Sequence, residues 1–100
     1  MKVMKKLSAA KLEKVAEILK VAAHPVRLGI IDVLDKKGSL SVNEICRELE
    51  SDQSLTSHHL KYMKLNGILT CKRDGQQMIY SLELTEVTSI IKCLENCTRF

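Results

Sequence analysis

Two strand-like runs, Ile68-Leu-Thr-Cys-Lys-Arg73 and Gln77-Met-Ile-Tyr-Ser-Leu82, flank Asp74-Gly75 in a chain whose other apolar patterns follow a helical repeat. Asp-Gly between two such runs is the strongest short-range hairpin signal, because the favoured tight turns require positive φ at their centre. An isolated hairpin is marginal in water, so this one must lie against helices. The chain is therefore confined to a helical domain that carries a small β appendage.

The helices can be bounded in order. Ser8 can cap a first helix whose apolar positions Leu12, Val15, Ala16, Ile18, Leu19, Ala22 and Ala23 cover more than one narrow stripe. His24-Pro25 ends it and opens a second, since proline disfavours helical geometry in the residue before it and suits the first helical position. Leu28, Ile31 and Leu34, widened by Ile30 and Val33, are expected to face inward, and Lys36-Lys37-Gly38 to close the helix. Ser41-Val-Asn-Glu44 has the capping-box form, so a short third helix should follow with Val42, Ile45 and Leu49 buried.

Asp52 then offers an N-cap for a fourth helix over residues 53–64, stopped by Asn66-Gly67. Within it Ser54, Ser57, His58 and Lys61 share one face, while Thr56, Leu60 and Met63 occupy the other, with Leu55 and His59 at the flank. Thr85 is a plausible N-cap for a last helix carrying Val87, Ile90, Ile91 and Leu94, with Cys93 and Cys97 at its border. A short helix, a turn, a helix with a polar outer face and a hairpin together read as a winged helix-turn-helix. The expected fold is mainly α, with about five helices and a two-stranded wing, and residues 1–7 read as a flexible basic arm ahead of the domain at 8–100. First and last helices are too apolar for lone surface helices, which predicts a homodimer joined through them.

Net charge is +4, and from Gln53 to Leu82 the basic residues Lys61, Lys64, Lys72 and Arg73 are opposed by Asp74 alone. Such a local excess favours a polyanion. Gln53, Ser54, Ser57, His58, Lys61 and Lys64 on the fourth helix, with Lys72 and Arg73 on the wing, are thus the candidate DNA-contacting residues. No glycine-rich phosphate loop, paired catalytic carboxylates or nucleophile with a recognisable base is evident, which argues against an enzyme. A protein- or RNA-binding module is the rival reading, although protein docking alone would not require a polar stripe beside a basic hairpin. No apolar run approaches the roughly 20 residues of a membrane span, so the chain is expected to be cytoplasmic. Its four cysteines, 46, 71, 93 and 97, are then reduced by default. Cys93 and Cys97 lie one helical turn apart and form a candidate thiol sensor, set against simple packing at the helix border.

Three stretches resemble the ArsR/SmtB family of bacterial winged-helix repressors: Ala23-His-Pro-Val-Arg-Leu28, Gln53-Ser-Leu-Thr-Ser-His-His-Leu-Lys61, and Gly67-Ile-Leu through the wing to Ile79-Tyr80-Ser-Leu82. The resemblance spans roughly residues 8–97 in order and spacing. It implies a dimeric repressor that occupies operator DNA through residues 52–64 and the wing and leaves when a small inducer, such as a metal ion or an oxidant, binds. The family's arsenic-type cysteine pair is replaced here by Ser41 and Asn43, and its zinc-type aspartate and histidine by Leu84 and Glu86. Asp32 stands where one branch carries a second-helix cysteine. No metal ligands or cofactor are assigned.

Overall fold

The computed structural model describes residues 8–97, so the expected basic arm at 1–7 lies outside the described residues. Five helices and three short strands follow in the order α1 (Ala9–Ala22), α2 (Pro25–Lys37), β1 (Ser39–Ser41), α3 (Val42–Leu49), α4 (Gln53–Leu65), β2 (Leu69–Asp74), β3 (Gln77–Leu82) and α5 (Val87–Glu95). The caps account for most boundaries. Ser8 accepts from the Lys11 amide at 3.1 Å, and His24, just before Pro25, accepts from the Val26 amide through Nδ1. Gly38, at φ +89°, ends α2 by donating to the Leu34 carbonyl.

The core forms where α2, α3 and α4 meet the sheet. Ile30, Ile31, Ile45, Leu60, Met63 and Ile68 are fully buried, and Leu34, Leu69 and Tyr80 nearly so. Burying one such aliphatic side chain contributes about 1.5–3 kcal/mol, so this cluster is what anchors α4 by its inner face.

Four details depart from the sequence reading. The two-stranded wing forms, but a third strand not expected from the sequence joins it: β1 pairs antiparallel with β3, giving the order β1-β3-β2, with Leu40 opposite Tyr80 and the Ser39 and Ser81 hydroxyls 3.0 Å apart. Three residues between a helix stop and a capping box are too short for an alternation to register, and the pairing partner lies some forty residues away in sequence. At the hairpin tip Asp74 pairs with Gln77, so the turn residues are Gly75 and Gln76 rather than Asp74 and Gly75. Only Gly75 has positive φ there, at +66°, the pattern of a turn whose first central residue is glycine. Leu28 is 40% exposed instead of buried, because Ile30, Ile31 and Leu34 take the inner face of α2. Thr85 does not cap α5; it lies in the preceding turn, where its carbonyl accepts from the Thr88 hydroxyl.

Candidate nucleic-acid interface

The α3–turn–α4 unit is fixed by short-range polar contacts that the sequence spacing makes available. Ser41 Oγ accepts from the Glu44 amide at 3.2 Å, and Glu44 Oε1 accepts from the Ser41 amide at 2.8 Å. Those two Ser41 bonds hold the Glu44 carboxyl below the ordinary carboxylate range. α3 ends at Glu50, which takes a left-handed conformation (φ 50°, ψ 50°) and turns the chain toward α4. Ser51 Oγ and the buried Thr56 Oγ1, 2.6 Å apart, then tie that turn to the second turn of α4, while Asp52 accepts from the Leu55 amide at 2.9 Å.

With Thr56, His59, Leu60 and Met63 buried, the opposite face of α4 is presented outward. Asp52, Gln53, Ser54, Ser57, His58 and Lys61 line one open, predominantly polar concavity. Ser57 is half-buried and the other five are exposed. A second concavity joins α4 to the hairpin tip and to the start of α3, and is lined by Val42, Asn43, Gln53, Ser57, Gln76, Gln77 and Met78. A third runs along the inner face of β3 and is bordered by Lys61, Lys64, Leu65, Met78 and Tyr80. The wing therefore lies alongside the outer face of α4 over most of that helix. Asn43, Gln76 and Gln77 were missed as site residues by sequence reasoning. The consecutive amides beside Gly75 were the signal, since a turn built for conformation alone does not require them.

Strand alternation separates two residues that look like a pair in the sequence. Cys71 lies opposite Tyr80 and Arg73 opposite Met78, which puts Arg73 on the face of the hairpin turned toward α4. Lys72, opposite Ile79, is on the other face. Both cations are exposed, and Lys61 and Lys64 are exposed on α4. At the base of the wing, burial and then the Cys71 thiol beside it push the Tyr80 phenol up to about 12, so that group stays protonated and neutral.

The candidate thiols are apart from this surface. Cys93 is exposed in the last turns of α5 and Cys97 is half-buried just beyond it, while Cys46 and Cys71 are half-buried elsewhere. Among the described residues no group of three or more His, Cys, Asp or Glu is arranged to hold a metal ion. No helix among them is long and apolar enough to cross a membrane.

A buried-backed helix with a polar outer face, preceded by a capped helix and flanked by a basic hairpin, defines a winged helix-turn-helix DNA-binding domain. Residues 24–70 match the family described as bacterial regulatory protein, arsR family. The transcriptional repressor PagR of Bacillus anthracis is 39% identical over 89 residues, which cover 89% of each chain. Its crystal structure superposes with a TM-score of 0.78, over 87% of this chain and 99% of that one. An uncharacterized HTH-type transcriptional regulator of Methanocaldococcus jannaschii is 38% identical over 85% of this chain and 96% of its own. The transcriptional activator HlyU of Vibrio cholerae is 35% identical over 81% and 74% respectively. The chain belongs to the ArsR family, and it is a DNA-binding transcriptional regulator rather than an enzyme.

Proposed function

We propose that the protein is a homodimeric cytoplasmic repressor that grips an operator with the outer face of α4 and is released by a small inducer. The observation that carries this reading is the division of α4 into a fully packed inner face and an open outer face bearing Gln53, Ser54, Ser57, His58, Lys61 and Lys64. Serine, glutamine and histidine supply hydrogen bonds to base edges and phosphates, and the lysines supply phosphate contacts. Arg73 reaches the flanking backbone from the near face of the wing, while Lys72, on the far face, lies off the line of phosphate contacts made by α4 and Arg73.

The dimer is supported by apolar side chains left in water by one chain alone. Leu12, Val15 and Leu19 of α1 are 46–54% exposed, and Ile90 and Leu94 of α5 are 47% and 51% exposed. A twofold mate covering both helices would bury them and set the two copies of α4 roughly 34 Å apart, one DNA turn, to read an inverted repeat. The repressor PagR supports the sign of the regulation, at higher identity than the activator HlyU. For the inducer, Cys93 and Cys97 border the apolar face of α5, so a soft metal ion or an oxidant acting on them would act at the dimer contact.

The test is a titration of the protein's own promoter DNA against random duplex, on wild type and on His58→Ala/Lys61→Ala, with sedimentation in parallel. The double variant should lose promoter affinity and remain dimeric. Dissociation of the dimer by these substitutions, or equal affinity of the wild type for random duplex, would contradict the proposal.

A further inference from the structure

Beneath the outer face of α4 lies a contact that joins it to the far end of the molecule. The Arg27 guanidinium donates from Nε to His59 Nδ1 at 3.0 Å and from a terminal nitrogen to the Val21 carbonyl at 2.9 Å. Its carbon also sits 4.5 Å from the centre of the Tyr62 ring. Val21 is in the last turn of α1, where carbonyls have no partner within the helix. One planar fork on α2 thus ties the end of α1 to two residues of α4. α1 packs chiefly on α2, so this tie is a direct link between α1 and the DNA-facing helix.

We infer that Arg27 and His59 are positioning residues for DNA binding: they fasten α4 to the end of the dimer-forming helix α1, and only while His59 Nδ1 carries no proton. The inference rests on the operator-binding reading above. An imidazole that accepts at Nδ1 holds its proton on Nε2, and a second proton would set an N–H against the Arg27 N–H and a cation against a cation. His24 adds to this, its ring centre 4.6 Å from that of His59 and its own Nδ1 engaged in capping α2. The groups acting on the charge of His59 are His24 and Arg27 from the α2 side and His58 from its own helix, its ring centre 5.9 Å away. All three oppose protonation, and among the described residues no carboxylate from α3 or β2, the other elements packed on α4, offsets them.

Burial first, then His24, Arg27 and His58, holds the His59 imidazole below the ordinary histidine value. The fastening is therefore complete above about pH 6.5 and is lost as pH falls through the lower folded value. Loosening α1 from α4 alters the spacing of the two recognition helices, and DNA affinity falls with it.

Promoter-DNA titrations from pH 8 to pH 5.5 on the full chain, on His59→Gln and on Arg27→Gln test this. In His59→Gln the introduced side chain offers an amide oxygen to Arg27 at every pH, while His24 and His58 are present in both proteins. Affinity of wild type relative to His59→Gln should be near unity at pH 8 and fall progressively, by roughly a few-fold, toward the acid end. Arg27→Gln should weaken binding by about tenfold at pH 8 with sedimentation and circular dichroism unchanged. NMR titration supplies a readout without DNA: the Arg27 Nε–H signal should broaden into solvent exchange, and exchange at the end of α1 should rise, as His59 gains its proton. A pH-independent ratio, or full affinity of Arg27→Gln, would overturn the inference. Failure of the wild type to prefer promoter DNA at pH 8 would overturn both the operator reading and the positioning role, leaving the NMR result to report the link alone.

Discussion

Replacing Arg73 or Lys72 by serine distinguishes the two faces of the wing quantitatively. Lys61 and Lys64 on α4 and Arg73 on the adjoining hairpin face present three cations to one side of the protomer, and a dimer presents six. Each phosphate neutralised adds about −0.9 to the slope of log K against log salt, so six contacts give a slope of roughly −5.4 and four give roughly −3.6. Between 50 and 200 mM salt the wild type should then lose roughly a thousandfold in affinity, and Arg73→Ser roughly a hundredfold. Lys72→Ser, on the opposite face, should keep a slope close to that of the wild type. Fluorescence anisotropy with labelled promoter duplex at five or six salt concentrations measures all three slopes. Equal reductions for the two variants, or a larger one for Lys72→Ser, would refute the assignment of faces and with it the docking of the wing along α4.

Three further outcomes follow from particular residues. Glu50 holds a left-handed conformation, which costs a side-chain-bearing residue about 1–2 kcal/mol, while glycine gives back about 0.5–1 kcal/mol in unfolded-state entropy. Glu50→Gly should thus raise the urea midpoint slightly with DNA binding intact, and a lower midpoint would mean that the turn is held by something else. Leu19→Asp, at a position 46% exposed in the single chain, should yield a folded monomer by sedimentation and circular dichroism. For the inducer, promoter release by zinc, cadmium, arsenite, peroxide or polysulfide should disappear in Cys93→Ser/Cys97→Ser, and a response that survives the double substitution eliminates that pair.

What could be read from the sequence was what is local along the chain. The Ser41–Glu44 capping box, the Asp52 cap, the Gly38 stop and the split of α4 into outer and inner residues all depend on spacings within two helical turns, and the structure bears them out. His59, placed by its spacing at the flank of the inner stripe, is buried at 5% exposure. What could not be read was contact across long separations. β1 exists because Ser39 to Ser41 meets β3, and Arg27 meets His59 across 32 residues, pairings that no local pattern announces. Thr85 failed as a cap because α5 begins after Glu86, one residue later than the polar side chain suggests. The separation of Lys72 from Arg73 was within reach of strand alternation, and needed only a choice of which hairpin face meets α4.

NMR mapping of the DNA-bound surface tests the central claim most directly. Titrating promoter duplex into isotope-labelled protein should perturb the amides and side chains of Gln53, Ser54, Ser57, His58 and Lys61 first, together with Arg73, Gln76 and Gln77 on the wing. The exposed apolar residues of α1 and α5 should stay unshifted at the same ratios, since in the proposed dimer a partner subunit covers them. Perturbations centred on Leu12, Val15, Ile90 and Leu94, with the outer face of α4 silent, would contradict the account.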